Sequence, residues 1–144
     1  MNSSQKSARL TLYVTYAFCF LMVLIMIGII PAITWIMGTA QFATVCIVSF
    51  YICSPAAWVA LISLIKLLKN ILNDNIFSFS SVRLLRLLAY CCAYVCAVCF
   101  AVMFIFRLFF VFSLGAGLMT LILLVLKDVM QRATEIKEEN ELTV

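Results

Sequence analysis

The chain has 144 residues, 67% of them apolar and 11% charged, with ten basic against six acidic side chains and a formal net charge of +4. Globular proteins are about 45–50% apolar in composition, so this balance, with a mean hydropathy of +1.21, excludes an ordinary water-soluble domain. The sequence has no histidine, which excludes imidazole-based metal sites and histidine triads.

Residues 1–10 form a short polar lead with two bases, Lys6 and Arg9, and no acid. A first apolar span follows over residues 11–37 and passes through Pro31. Gly38-Thr39-Ala40 is a small-x-small triplet of the kind found at signal cleavage sites. The apolar run before it is much longer than the ~7–15 residues of a signal core, so it reads as a retained span. Residues 38–42 read as a turn beside Trp35, an interfacial anchor.

The second span covers residues 43–68, with Pro55 in its middle. A proline there removes the hydrogen bond to the Tyr51 carbonyl and predicts a kink, and Ser54 is placed to satisfy a freed backbone group. The runs are continuous, not alternating with period two. That selects helices, whose backbone groups are satisfied within the segment.

Residues 66–86 are the polar middle, carrying Lys66, Lys69, Arg83 and Arg86 against one acid, Asp74. Ser78 or Ser80 is the predicted N-cap of a third span over residues 82–106, and Arg83 and Arg86 can snorkel to headgroups. Ala89, Ala93, Ala97 and Ala101 recur at every fourth position. This small-residue row is predicted to be a helix-packing face, within one chain or between two copies. Arg107 is the one charge before the fourth span, residues 108–126, where Ser113 with Gly117 and Ala116 with Thr120 are further small pairs.

Residues 127–144 are a charged tail with Val129, Met130, Ala133 and Ile136 at helical spacing. Asp128 and Arg132 are predicted to pair at i,i+4. The last ten residues carry Glu135, Glu138, Glu139 and Glu141 against Lys137.

The expected fold is all-α: a polytopic membrane protein with four transmembrane helices arranged as two hairpins, and a cytoplasmic C-terminal helical extension. Residues 1–126 form the transmembrane domain and residues 127–144 the tail. With the N-terminus inside, nine basic residues are cytoplasmic and only Arg107 is outside, a strong positive-inside asymmetry. The expected location is the inner, cytoplasmic membrane of the cell, with both termini in the cytoplasm.

Chemistry is sparse. No acid lies within a span, which argues against a proton-coupled exporter. The seven cysteines, Cys19, Cys46, Cys53, Cys91, Cys92, Cys96 and Cys99, all fall in apolar runs and read as small packing residues. An odd count argues against a disulfide framework. Cys46 and Cys99 reach similar depth, which leaves a disulfide or soft-metal site between them as a sharper alternative. No enzymatic activity, cofactor, metal or direct nucleic-acid contact is expected.

The cytoplasmic face is the candidate working surface. Its partner-binding candidates are Lys66, Lys69, Arg83 and Arg86 of the basic loop and Glu135, Glu138, Glu139 and Glu141 of the acidic tail. The tail is expected to dock on the loop or to compete with a partner for it. The loop equally suits anionic lipid. The alternative reading is a small transporter or ligand-binding membrane protein with a cavity at the Pro55 kink.

The terminal stretch Lys137-Glu138-Glu139-Asn140-Glu141-Leu142-Thr143-Val144 resembles the C-terminal signature of the domain of unknown function 2975 family of small bacterial four-span membrane proteins. Residues 125–136 are similar in pattern. The central loop, Asn75-Ile76-Phe77-Ser78 and then Ser80-Ser81-Val82-Arg83-Leu84-Leu85-Arg86, is similar to a turn in that family. Ile76 stands for the usual proline, and serines stand for a Glu-Asn pair. The resemblance implies no catalytic activity. Family genes commonly neighbour a small helix-turn-helix regulator of the Cro/C1 type, so the resemblance implies a membrane protein that holds or inhibits such a regulator.

Overall fold

The computed structural model describes residues 3–37, 40–74 and 76–143. They form four helices, α1 Ser3–Met37, α2 Ala40–Leu72, α3 Phe79–Val102 and α4 Phe109–Leu142, with no strand among the described residues. Each is long and apolar enough to cross a membrane, since ~20 helical residues traverse ~30 Å of hydrocarbon.

Several helix ends differ from the expected span ends: α1 starts at Ser3 and not at 11, α2 continues to Leu72 past 68, and α3 starts at Phe79 before 82. α2 begins at Ala40, inside the predicted turn, because nothing after Gly38 breaks a helix. Gly38 and Thr39 themselves lie outside the described residues. α3 ends at Val102, with the Met103 N–H bonded to the Cys99 carbonyl. Ile105 and Phe106 then both return their N–H groups to the Val102 carbonyl (2.9 and 3.0 Å). Phe106 packs across this turn on Phe109, ring centroids 6.1 Å apart. Residues 103–106 are as apolar as the helix before them, so hydropathy does not mark where α3 stops; Arg107 is the one charge of the turn. α4 runs unbroken to Leu142, the helical continuation past residue 126 that the spacing of Val129, Met130, Ala133 and Ile136 predicts. Its length of about 50 Å exceeds the hydrocarbon thickness of a bilayer.

The helices pack in chain order: α1 on α2, α2 on α3, and α3 on α4. Among the described residues, the backbone of α1 approaches neither α3 nor α4 closely, and that of α2 does not approach α4. Polar atoms mark each seam. The Tyr51 hydroxyl donates to the Met26 carbonyl (3.4 Å) and Ser54 Oγ to Met26 Sδ (3.4 Å), joining α2 to α1. Ser54 was expected to serve backbone freed by Pro55; it reaches the neighbouring helix instead. The Tyr94 hydroxyl donates to the Ile52 carbonyl (3.4 Å), joining α3 to α2. Pro31 and Pro55 both lie inside unbroken helices.

The core is inverted relative to a soluble protein. Most buried positions are small or hydroxyl-bearing, Ala43, Ala89, Thr15, Ser49, Ser54, Ser63, Ser81, Ser113 and Thr134 among them, with Leu68, Val82 and Leu85 as larger exceptions. Phenylalanines, leucines and isoleucines cover the outside of all four helices. Small residues at the seams let helices approach, and apolar side chains outside suit lipid. The buried hydroxyls cost little because they bond back to carbonyls one turn earlier, as Ser49 to Val45 (2.7 Å) and Ser63 to Val59 (2.8 Å) do.

The closest seam joins α3 and α4. Ser113 Oγ donates to the Cys96 carbonyl (3.4 Å), and Cys96 Sγ donates to the Ser113 carbonyl (3.3 Å). A Cβ added at Gly117 would meet Cys96 Sγ at 3.5 Å. The predicted pair Ser113 and Gly117 thus does face another helix. The alanine row does not act as a single face. Ala89 is buried, Ala93 half-buried, and Ala97 and Ala101 are exposed. Steps of four residues advance 400°, so the row drifts about 40° per step around the helix.

Candidate functional site

The polar end of the helices is built from the α2–α3 connection and the end of α4. α2 closes with the Asn73 N–H on the Lys69 carbonyl (3.1 Å) and the Asp74 N–H on the Ile71 carbonyl (3.3 Å). Asp74 has φ 58°, a left-handed conformation that aspartate and asparagine tolerate better than most residues. α3 opens on Ser78, whose extended backbone (φ −130°, ψ 151°) and side chain make it the N-cap. Its Oγ accepts the Ser81 N–H at 3.3 Å. Ser78, rather than Ser80, is therefore the cap, as one of the two sequence candidates. Ser81 Oγ lies 3.1 Å from Ser78 Oγ and accepts from Asn70 Nδ2 at 3.3 Å, which ties α2 to the start of α3.

Of the basic candidates, Lys66, Lys69 and Arg83 line one groove between α2 and α3, of about 380 Å³, with Asn70, Ser80 and Leu84. Arg86 is exposed and does not line it. The acidic candidates Glu135, Glu138, Glu139 and Glu141 are all exposed on the last turns of α4. Glu135 accepts from Gln131 Nε2 at 3.2 Å. Among the described residues no ion pair joins these glutamates to the loop cations; the pair formed is Lys127 Nζ to Asp128 Oδ1 at 2.9 Å. The predicted Asp128–Arg132 pair is not formed, because Asp128 turns to the neighbouring, mostly covered Lys127.

Loop and tail border one largely apolar recess. Phe77 of the connection and Ala133, Ile136, Lys137, Asn140 and Glu141 of α4 line a recess of about 650 Å³. Phe77 is 46% and Ile136 59% exposed, whereas Thr134 beside them is 1% exposed. Thr134 Oγ1 donates to the Met130 carbonyl (2.8 Å), so its burial leaves no polar atom unsatisfied. Phe77 and Asn70 did not stand out in the sequence. An aromatic residue beside Ile76 in a short connection of Asn, Asp and Ser was the available signal for Phe77. Asn70 gave none, since its partner Ser81 lies on another helix.

A second cavity, about 540 Å³, lies within the apolar part of the helices. Ile29 and Ile33 of α1, Cys46, Ser49 and Cys53 of α2, Cys99 of α3 and Phe109 and Phe112 of α4 contribute to its wall. Cys46 and Cys99 therefore do share one space, but all seven cysteines are free thiols. Among the described residues no group of three metal-ligating side chains gathers. Cys96 and Cys99 stand at C-x-x-C spacing but serve different neighbours: Cys96 bonds Ser113, and Cys99 lines the cavity. At Pro55 there is a separate recess of about 300 Å³ against Tyr90, Cys91 and Tyr94.

Four apolar helices, small residues at their seams and charge collected at one end of the α2–α3 pair define a small α-helical membrane protein. Residues 4–144 match the family described as Protein of unknown function (DUF2975), and the chain belongs to that family. No curated protein and no solved structure matched it.

Proposed function

We propose that this protein crosses the cytoplasmic membrane four times as two hairpins, keeps both termini and the α2–α3 connection in the cytoplasm, and uses that face to hold a cytoplasmic helix-turn-helix regulator. Nine of the ten basic residues support the orientation, with Arg107 alone in the opposite turn. A fluorescent protein fused after Val144 should fluoresce and alkaline phosphatase fused there should be inactive; the reverse pattern would refute the orientation.

The observation that carries the interaction reading is the recess at Phe77. Phe77 and Ile136 expose apolar surface amid Lys137, Asn140 and Glu141, and apolar patches rimmed by polar groups mark protein contacts. The regulator class comes from the family resemblance. Its test is capture of the neighbouring regulator on the tagged full chain in membranes. The wild type should retain it, and Phe77→Ser with Ile136→Ser should lose most of it, since apolar anchors commonly contribute 2 kcal/mol or more, roughly thirtyfold. Equal retention by the two proteins would overturn the reading.

The cavity on Cys53 and Cys99 favours a second reading, a membrane protein that binds a small apolar ligand between its helices.

A further inference from the structure

We infer that the groove formed by Lys66, Lys69 and Arg83 is a binding site for the phosphate of an anionic phospholipid headgroup. The inference rests on the membrane-spanning reading and is independent of any regulator.

Charge is the first argument. Three cations from two helices converge on one groove, no carboxylate lines it, and none of the three is in an ion pair among the described residues. The one acid of the connection, Asp74, is not part of its wall. Lys66 and Lys69 are three residues apart on α2 and share a face. Arg83 enters from α3 with a planar fork that matches two phosphate oxygens, while the lysines act as point charges. Asn70 and Ser80 add neutral hydrogen-bonding groups to the same wall.

Depth is the second. Lys66 is the first charged residue of α2, and Arg86 is the last of α3. Away from the connection, both helices are uncharged to their far ends. The groove therefore lies where hydrocarbon gives way to headgroups, and Leu84 supplies an apolar wall for the start of an acyl chain. A basic pocket between helices at this level suits anionic lipid headgroups.

The site is also held in shape. The Asn70 to Ser81 hydrogen bond and the Ser78 cap fix α2 and α3 relative to one another beside the groove. Three positive charges exceed what one phosphodiester neutralises, so a lipid with two phosphates, a diphosphatidylglycerol, should be preferred to phosphatidylglycerol, and both to zwitterionic phosphatidylcholine.

Native mass spectrometry of the intact chain in detergent, titrated with each of these three lipids, tests the site. The wild type should retain diphosphatidylglycerol most and phosphatidylcholine least. Lys69→Gln alone should weaken the anionic lipid by about fivefold, and Lys66→Gln, Lys69→Gln and Arg83→Gln together by about a hundredfold, from roughly one surface-lipid contact per cation. Arg107→Gln, in the opposite turn, should leave binding unchanged. Helix content by circular dichroism establishes that the triple variant is folded; if it is not, the single variant decides. Undiminished binding by Lys69→Gln, or equal retention of phosphatidylcholine, would overturn the site. Displacement of the lipid by an equal concentration of inorganic phosphate would overturn the lipid assignment in favour of a soluble phosphate ligand. The Phe77 recess is untouched in these variants, so regulator capture should persist when lipid binding is lost.

Discussion

Gly117→Leu should separate α3 from α4 and lower the stability of the detergent-solubilised protein by about 1–3 kcal/mol, the usual cost of overpacking a close contact. The first added carbon already meets Cys96 Sγ at 3.5 Å. That is ordinary contact, so Gly117→Ala should be tolerated, and the gain of about 0.5–1 kcal/mol from replacing a mid-helix glycine offsets minor crowding. The three further carbons of leucine have no such room. Pushing the helices apart also strains the mutual bonds of Ser113 and Cys96, each worth about 0.6 kcal/mol in a membrane. Gly115 is an internal control, because nothing lies within 4 Å of a Cβ built there. Thermal unfolding of the three variants should place Gly117→Leu well below wild type and leave Gly117→Ala and Gly115→Leu near it. A leucine at 117 as stable as the alanine would show that the seam is not close-packed.

Leu85→Ala should be the most damaging truncation on α3. Leu85 is 1% exposed and sits between buried Ser81 and Ala89 on one face. Such truncations cost about 2–5 kcal/mol in soluble cores, part transfer and part cavity. Lipid is as apolar as leucine, so the transfer part shrinks while the lost packing contacts remain. We expect about 2 kcal/mol. Leu87→Ala makes the same change on the same helix at a side chain that is 42% exposed, and should stay within about 0.5 kcal/mol. Parallel denaturant titrations that gave equal losses for the two would mean that burial in this protein does not govern stability.

Much of the architecture was legible in the sequence because lipid imposes a simple requirement: long uncharged runs must be helices. The four spans, the Ser78 cap and the helical continuation beyond residue 126 all follow from that or from local capping chemistry. What escaped depends on distances between helices. Spacing of four suggested that the alanines form one face, yet rotation carries Ala97 and Ala101 away from buried Ala89. Asp128 had two basic neighbours within reach, and spacing alone favoured the wrong one. Among the candidate site residues, the clustering of Lys66, Lys69 and Arg83 was foreshadowed by their place in the connection. The separation of Arg86 from that groove arises from how α3 is turned against α2, and the recess shared by Phe77 and Ile136 from how α4 lies against α3. Composition carries no trace of that placement.

The strictly consecutive packing of the helices bears on how such a chain is made. Among the described residues, every seam of close backbone approach lies between a segment and the one synthesised just before it. No early segment has to wait at the translocon for a distant mate, and no long loop must close before its contacts form. Each helix can dock as it is released sideways into the bilayer, so the order of translation is also a sufficient order of assembly.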